Sequence, residues 1–366
     1  ITGLNTVCLR PGSRLQYNSS IVSADAIARY RWSIDADSVA NTPNLDHDYR
    51  VPGNHVITLF IQTINGCSFT VTRNILIDSI RTGFVVTPTR FCGSGAASFT
   101  NNSTNFGAID FYNWNFGDGN TSTIQNPNNS YLLPGNYTVQ LIAATVNGCR
   151  DTTLLTDTVK VFNLPTATIS GNDIVCLTPA SILQYTSNIN SVDAIAGYRW
   201  SIDADSVANT ANLNYDYRLP GNHIITLFIQ TVNGCVFSVS KNIIIDSIVT
   251  GFSIAPVRFC GSGVASFTNN TTNFAAIDFY NWSFGDGNTA TDQDPTNNYL
   301  SPGNYSVQLI AATINGCRDT TRFVDTVKVF NLPTATISGN DIVCLVPSTR
   351  LQYSSTISSV DAIAKY

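Results

Sequence analysis

The chain has 366 residues, of which 43% are hydrophobic and only 12% are charged, and its net charge of −5 includes no basic run. This composition excludes the basic surface that nucleic-acid binding requires. No apolar run has the length of a membrane span, so the protein is not expected to be membrane-embedded. Thr, Asn, Ser, Ile and Val are abundant, which favours β structure.

Both ends of the sequence interrupt a pattern. The first residues, ITGLNTVCL, resemble ISGNDIVCL at 169–177, and the last residues stop just before the position where other copies place a Trp. We therefore expect a piece of a longer polypeptide whose transport and anchoring signals lie outside this stretch.

An internal repeat organises the chain, since Trp32 recurs as Trp200 and Trp114 recurs as Trp282 at the same interval. Each repeat has two similar halves, because Trp32 and Trp114 occupy equivalent places in related stretches of sequence. The sequence therefore predicts alternating modules of two types. They are A1 (1–82), B1 (83–163), A2 (164–250), B2 (251–331) and the start of a third A-type module, A3 (332–366).

Each module contains a strongly alternating stretch. In YTVQLIAAT, at 137–145, apolar residues fall at every second position, which indicates a half-buried strand. The dipeptide Asn147-Gly148 follows and favours a hairpin turn. Short strands between regular turns, without an amphipathic helix, predict an all-β chain of tandem Ig-like sandwiches that form an elongated rod.

Nine cysteines recur at regular intervals, two in each complete module. The nearly constant spacing within a module predicts one disulfide in each and leaves Cys344 over. A metal site is the competing interpretation, but no Cys-x-x-Cys or neighbouring His supports it. Disulfides indicate an oxidising, extracellular location. The predicted pairs are Cys8–Cys67, Cys92–Cys149, Cys176–Cys235 and Cys260–Cys317.

The B-type modules carry a family signature. The run WNFGDG at 114–119, followed by YLLPGNYTVQL at 131–141, resembles the PKD (polycystic kidney disease) domain, and 282–309 repeats it. The A-type modules depart from the pattern, because Asp35-Ala36-Asp37 replaces Gly-Asp-Gly and His55 replaces the second Tyr. The resemblance implies Ig-like sandwiches, with the A-type modules as divergent PKD-like members.

The repeat style also resembles the giant surface proteins of Bacteroidota, including gliding-motility adhesins. This resemblance implies export, by the type IX route, and display on the cell surface. Asp-Ser and Asp-Thr triplets resemble the O-glycosylation acceptor of Bacteroidota, with ordinary strand composition as an equal alternative. The acceptor hydroxyls would be those of Ser38, Ser79, Thr152, Thr158, Ser206, Ser247, Thr320 and Thr326.

Two residue classes are candidates for ligand binding. Asp residues in the tight turns are either turn residues that bond their own backbone or part of a calcium or ligand loop. They are Asp118 and Asp286 in the B-type modules and Asp35, Asp37, Asp203 and Asp205 in the A-type modules. The Trp residues are either sugar-stacking platforms or, as Cys…Trp…Cys order favours, core residues. They are Trp32, Trp114, Trp200 and Trp282. No cofactor other than Ca²⁺ is suggested.

The sequence predicts a structural protein and not an enzyme. Its three His residues form no Ser-His-Asp or Cys-His set. An apolar residue on the outer face of one strand in each module predicts a row of lateral contacts: Phe60, Ile142, Phe228 and Ile310. The first hypothesis is the repeat region of a secreted surface adhesin or filament, which contacts neighbouring modules, other copies in a fibre, or a polysaccharide or other substratum. The alternative is a carbohydrate-binding array, or a spacer within a secreted degradative enzyme.

Overall fold

The computed structural model describes residues 1–339, 350–360, 362–363 and 365, and the regular secondary structure in these residues consists of β-strands. In module A1 the strands are β1 (Thr6–Leu9), β2 (Leu15–Tyr17), β3 (Ile27–Ile34), β4 (Asp37–Ala40), β5 (Leu45–His47), β6 (Gly53–Thr63) and β7 (Ser68–Arg81). In B1 they are β8 (Phe84–Thr87), β9 (Arg90–Cys92), β10 (Gly95–Asn101), β11 (Thr104–Asn105), β12 (Ile109–Asn115), β13 (Thr121–Ser122), β14 (Asn128–Tyr131), β15 (Gly135–Thr145) and β16 (Arg150–Phe162).

The second half of the chain repeats this order. In A2 the strands are β17 (Thr166–Ser170), β18 (Ile174–Cys176), β19 (Leu183–Asn190), β20 (Ile195–Ile202), β21 (Asp205–Ala208), β22 (Leu213–Tyr215), β23 (Gly221–Thr231), β24 (Val236–Asp246) and β25 (Ile248–Val249). In B2 they are β26 (Phe252–Ala255), β27 (Arg258–Cys260), β28 (Gly263–Asn269), β29 (Thr272–Asn273), β30 (Ile277–Ser283), β31 (Thr289–Ala290), β32 (Thr296–Tyr299), β33 (Gly303–Thr313) and β34 (Arg318–Phe330). In A3, β35 (Thr334–Gly339) and β36 (Tyr353–Ser358) form an antiparallel hairpin.

Each complete module consists of two sheets, as the sequence predicted. The larger sheet of A1 has the order β1-β7-β6-β3-β4, and β2 pairs with β5 in the smaller one. In B1 the corresponding orders are β9-β16-β15-β12-β13 and β14-β10-β8. The strand that carries the first cysteine of the module lies at the edge of the larger sheet, parallel to the last long strand.

Alternating apolar residues of the long strands build a separate core in each module. In β15, Val139, Leu141 and Ala143 are fully buried, which confirms the predicted period of two. Ala144 and Thr145, at the end of the same strand, are also buried, so both faces are covered there. That end of the strand belongs to the junction with the preceding module.

The described chain divides into two compact units. Unit 1 comprises Ile1–Leu164 with Ser191–Asp193 and Val232–Cys235, and unit 2 comprises Pro165–Asn190, Ala194–Thr231 and Val236–Tyr366. The A1–B1 junction therefore lies within unit 1 and the A2–B2 junction lies within unit 2. Strand pairing crosses each of these junctions, because the end of β7 in A1 pairs with β11 of B1, and β25 of A2 pairs with β29 of B2.

Candidate functional site: the junction between modules

The disulfides join neighbouring modules, and the predicted pairing within modules is wrong. Cys8 is bonded to Cys149, Cys92 to Cys235, and Cys176 to Cys317, with Cα–Cα distances of 5.3, 5.5 and 5.4 Å. The first cysteine of one module is thus bonded to the second cysteine of the next module. Cys67 and Cys260, which the sequence also assigned to disulfides, are free and exposed. Cys344 lies outside the described residues.

The geometry of the long hairpin excludes the pairing within a module. Cys67 immediately precedes the first residue of β7, whereas Cys8 on β1 is the register partner of Asp78 near the other end of β7. About ten residues of extended strand separate these two ends, which corresponds to about 33 Å. Because disulfides require Cα atoms within about 7 Å, Cys8 and Cys67 cannot bond without unfolding the sheet.

A buried carboxylate lies at the A1–B1 junction beside the disulfide. Asp78, at the end of β7, has no exposed surface. Its Oδ2 accepts hydrogen bonds from the Thr145 hydroxyl at 2.6 Å and the Asn147 amide at 3.0 Å, both in B1. Its Oδ1 accepts from the backbone N–H groups of Ser79 and Gly107, at 2.7 and 2.8 Å. Four donors therefore compensate the buried charge.

The A2–B2 junction repeats this arrangement. Asp246 accepts hydrogen bonds from the Thr313 hydroxyl at 2.5 Å and from the Asn315 amide at 3.2 Å. The Ala275 N–H, in the place of Gly107, donates at 3.1 Å instead of 2.8 Å. A Cβ on Gly107 would lie 2.7 Å from Asp78 Oδ2, which agrees with the longer bond at the Ala position.

A second set of polar contacts spans the same junction. The Thr82 N–H and hydroxyl donate to Asp151 Oδ2 at 2.8 and 3.1 Å, and the Thr153 hydroxyl donates to the Thr82 carbonyl. Thr250, Asp319 and Thr321 make the corresponding contacts between A2 and B2. An apolar cluster of Ile248, Ala311 and Cys317 packs beside them. The junction is thus stabilised by strand pairing, buried hydrogen bonds, apolar packing and a disulfide.

The hydrogen bonds at Asp78 determine how it titrates. Burial by itself raises the pKa of the Asp78 carboxyl, but the four hydrogen bonds outweigh burial and hold the pKa below its usual value. Stability from such a group is fully present above the unfolded-state pKa, near 4, and is lost as pH falls through the lower folded-state pKa.

We therefore expect Asp78→Asn to be less stable than the wild type by about 2 kcal/mol at pH 6, because one acceptor is replaced by a donor. The difference should shrink as pH falls below about 4 and through the lowered pKa of the folded-state Asp78 carboxyl, because the wild type then also loses its charged acceptor. Urea unfolding at pH 6, 4 and 2.5 measures this, with Asp110→Asn, at an exposed position, as the control. A difference that does not change with pH would contradict the assignment.

The turn carboxylates are occupied by donors of their own module. Asp118 Oδ1 accepts from the Asn120 N–H, and its Oδ2 accepts from the side-chain amides of Asn120 and Asn129. Asp286 makes the same bonds to Asn288 and Asn297. Within the described residues, no group of three His, Cys, Asp or Glu side chains has an arrangement that could hold a metal ion.

The A-type turn differs from the B-type turn through a pair of linked substitutions. Asp35 stands in the place of Gly117, and His55 stands in the place of Tyr137. Asp35 Oδ2 lies 2.5 Å from His55 Nδ1, and Asp35 Oδ1 accepts from the Val56 N–H at 2.8 Å. The hydrogen bond to His55 lowers the pKa of Asp35. Asp203 and His223 form the same pair, while Asp37 and Asp205 are exposed.

The four Trp side chains lie in the cores. Each is fully buried, and each indole N–H donates to a backbone carbonyl ten residues further along the chain, at 2.9–3.0 Å. A buried ring cannot stack on a sugar, so the Trp residues of the described modules do not serve as carbohydrate platforms.

The predicted outer row of apolar side chains is partly covered by Arg side chains of the same module. Phe60, Ile142, Phe228 and Ile310 are each partly exposed. The Arg31 guanidinium lies 5.4 Å from the Phe60 ring centre, and Arg199 lies 4.1 Å from that of Phe228. At the A-type positions, each ring of the row therefore forms a cation–π pair with the Arg opposite it on the neighbouring strand.

Half of the Asp-Ser and Asp-Thr triplets take part in the junctions. Asp78, Asp151, Asp246 and Asp319 supply the carboxylates described above. Their recurrence therefore has a structural cause that is independent of glycosylation. Ser38, Ser206, Thr152 and Thr320 are exposed, whereas Ser79, Ser247, Thr158 and Thr326 are partly buried. Modification at these hydroxyls stays a prediction, which an intact mass equal to the peptide mass would reject.

The junction is the part of the molecule that sequence reasoning missed. Asp78 follows the apolar run Ile-Leu-Ile at 75–77, and a carboxylate in such a run signals a buried, hydrogen-bonded position.

Across the described residues, no helix is both long and apolar enough to cross a membrane.

Comparison with known proteins identifies the B-type modules. Residues 85–161 and 255–329 match the family model of the PKD domain. Among solved structures, the PKD1 domain of Vibrio anguillarum Epp is 30% identical, covering 22% of this chain and 94% of that chain with a TM-score of 0.20. The titin I-band fragment I67–I69 is 11% identical over 69% of this chain and 98% of that chain, with a TM-score of 0.42. The insect immune protein hemolin is 11% identical over 89% and 98% of the two chains, with a TM-score of 0.31.

Proposed function

From the premise that residues 85–161 and 255–329 are PKD domains, we propose that this chain is the load-bearing repeat region of an extracellular surface adhesin or filament. PKD and Ig-like domains are typical of extracellular and adhesion proteins and are generally non-catalytic. The observation that carries the proposal is the disulfide pattern. Because the disulfides join neighbouring modules, the modules are connected both through the backbone and through disulfide bonds.

The three disulfides close loops that overlap along the sequence. The loops run from Cys8 to Cys149, from Cys92 to Cys235, and from Cys176 to Cys317. Every peptide bond between Cys8 and Cys317 lies inside at least one loop. A single break in the backbone there leaves the two sides covalently joined, which pairing within modules would not achieve.

The same loops limit extension under force. The shortest covalent path from Cys8 to Cys317 crosses two disulfides and only the chain from Cys149 to Cys176. If every module unfolded, this path could reach a total length of about 90 Å, compared with about 1,000 Å for the reduced chain. A tether that resists both stretching and proteolysis suits a surface protein under shear.

A single engineered cut tests the proposal. A protease site inserted between Leu164 and Pro165 lies in the connection from β16 to β17, at the start of A2, and inside the Cys92–Cys235 loop. We expect the cleaved protein to migrate as one species without reductant and as two fragments with it. A site between Asn331 and Leu332 lies outside all three loops, so it should release its fragment in both conditions and serves as the control. Release at Leu164 without reductant would overturn the proposal.

The finer identity is also a proposal. The alternation of PKD-type modules supports a gliding-motility type of adhesin, exported by the type IX route and displayed on the cell surface. Antibody labelling of intact source cells tests surface display, and loss of labelling in a secretion-deficient strain tests the route. Chain retained inside the wild-type cells would contradict both.

Lateral association through the outer row is a further part of the proposed filament. Phe60→Asp with Phe228→Asp removes both partly exposed rings from the row. We expect the change to shift self-association, measured by sedimentation velocity, at least tenfold towards single chains. Thr72→Asp adds charge at an exposed position on β7 and is the matched control. Equal association of the two variants would remove the row from the proposal.

A further inference from the structure

The Asn-Gly turns of the B-type modules place a dipeptide that is prone to spontaneous deamidation at the buried junctions. In this reaction the backbone nitrogen of the next residue attacks the Asn side-chain carbonyl, and Gly has no side chain to obstruct the attack. Asn147-Gly148 lies at the A1–B1 junction, and Asn315-Gly316 lies at the A2–B2 junction. Each turn is followed immediately by the cysteine that is bonded to the preceding module.

Both reacting groups of the turn are held by hydrogen bonds while the A1–B1 junction is closed. The Gly148 N–H, whose nitrogen would attack, donates to the Thr145 carbonyl at 2.8 Å. The Asn147 side-chain amide, which would leave as ammonia, donates to Asp78 Oδ2 at 3.0 Å. An Asn side chain held in this way does not turn its carbonyl carbon towards the Gly nitrogen. The closed junction therefore protects the turn from deamidation.

The A2–B2 junction holds its Asn-Gly turn in the same way. The Gly316 N–H donates to the Thr313 carbonyl at 2.8 Å, and the Asn315 amide donates to Asp246 Oδ2 at 3.2 Å. In both copies the turn belongs to the B-type module, whereas the carboxylate belongs to the A-type module that precedes it. Protection of the Asn side chain therefore requires that the two modules stay in contact.

We propose that Asn147 and Asn315 are modification sites that deamidate when their junctions open, and that the new carboxylate then prevents the junction from closing as before. The reaction needs only water. The Gly nitrogen displaces the side-chain amide as ammonia and closes a succinimide ring, and water then opens the ring to aspartate or isoaspartate. One carboxamide and one water become one carboxylate and one ammonium ion, with no change in oxidation state.

The deamidated product does not fit the closed junction. A carboxylate in place of the Asn147 amide would face the fully buried Asp78 across the distance of the present hydrogen bond. Two ionised carboxylates at this distance repel each other, and neither can donate a hydrogen bond. The Cys8–Cys149 disulfide is unchanged, so the modules stay covalently joined while their contact weakens. This chemistry depends only on the junction geometry, so it goes beyond the proposed function.

Crossed variants of the full chain test the protection by the carboxylate. After incubation at mildly alkaline pH, peptide mass spectrometry measures deamidation at each turn. Asp78→Ala should accelerate deamidation of Asn147 at least tenfold and leave Asn315 unchanged, because only the A1–B1 junction opens more often. Asp246→Ala should accelerate Asn315 and leave Asn147 unchanged. Equal rates at Asn147 in Asp78→Ala and the wild type, or acceleration at both turns in either variant, would overturn the inference.

Variants that carry the product from the start test its effect on the junction. Asn147→Asp should speed hydrogen exchange of β11 at least tenfold, and Asn147→Ala, which removes the donor without adding a charge, should speed it less. Adding Asp78→Asn to Asn147→Asp restores one amide and one carboxylate and should slow the exchange again. Equal exchange in Asn147→Asp and Asn147→Ala, or no slowing in the double variant, would contradict the inference. None of these results would affect the engineered cut at Leu164, so failure here and failure of the proposed function are distinguishable.

Discussion

Replacement of Cys8 and Cys149 by Ser is expected to lower the free energy of unfolding by about 5 kcal/mol. The bond closes a loop with a sequence separation of 141 residues, and in the chain-entropy model a loop of this size restricts the unfolded chain by that amount. The loss should appear in urea unfolding as a lower midpoint for A1 and B1. Because the bond spans two modules, their transitions should also separate in the variant.

Cys67→Ser is the matched control for this prediction. Cys67 is free and exposed, so its replacement should change the free energy of unfolding by less than about 0.5 kcal/mol. Pairing within modules predicts the opposite, since Cys67 would then be the partner of Cys8. If Cys67→Ser were as destabilising as Cys8→Ser, the cross-module account would be contradicted.

Asp78→Ala is expected to cost about 4 kcal/mol of stability, because hydrogen bonds to a charged group contribute about 1.5–3 kcal/mol each and unpaired buried donors add a desolvation cost. The substitution removes a fully buried carboxylate and leaves the Thr145 hydroxyl, the Asn147 amide and the Gly107 N–H without their acceptor. The loss should be concentrated at the junction, so hydrogen exchange of β11 should accelerate more than that of β12.

The control for Asp78 is Asp110→Ala, which removes an exposed carboxylate from B1. We expect it to change stability by less than about 0.5 kcal/mol. Asp246→Ala, in the second copy of the junction, should reproduce the effect of Asp78→Ala. A result for Asp78→Ala that matches Asp110→Ala would mean that the buried network does not stabilise the junction.

The fold could be predicted from the sequence because the alternation of residue types along a strand shows which side chains are buried and which are exposed. Val139, Leu141 and Ala143 fall at every second position and are fully buried, whereas Gln140 and Ile142 between them are partly exposed. The internal repeat then predicts the same structure for 307–311, where Val307, Leu309 and Ala311 are fully buried. The alternation within a strand and the recurrence of that strand in the next repeat are both visible in the sequence itself. They can therefore be recognised without knowledge of tertiary contacts.

The disulfide pairing could not be predicted, because the periodicity fits two pairings equally well. The spacing between the two cysteines of one module recurs with the repeat, and so does the longer spacing between cysteines of neighbouring modules. The choice depends on where β1 lies along β7, and its parallel pairing places Cys8 beside Asp78. That register is set by contacts between distant residues, which spacing alone does not reveal.

Comparison of the two module types within the sequence would have found the Asp35–His55 pair. Gly117 and Tyr137 of B1 are replaced together by Asp35 and His55 in A1, and A2 repeats both changes. Treated separately, the two departures suggested a weaker match to the PKD pattern and a ligand turn. The structure brings the two side chains to 2.5 Å, so one replacement accounts for the other.

Disulfide mapping of the unreduced chain tests the central claim most directly. After blocking of free thiols and proteolysis without reductant, mass spectrometry should find Cys8 linked to Cys149, Cys92 linked to Cys235, and Cys176 linked to Cys317. In a preparation of single chains, Cys67 and Cys260 should carry the blocking group. A peptide that links Cys8 to Cys67, or Cys92 to Cys149, would contradict the covalent bridging of neighbouring modules.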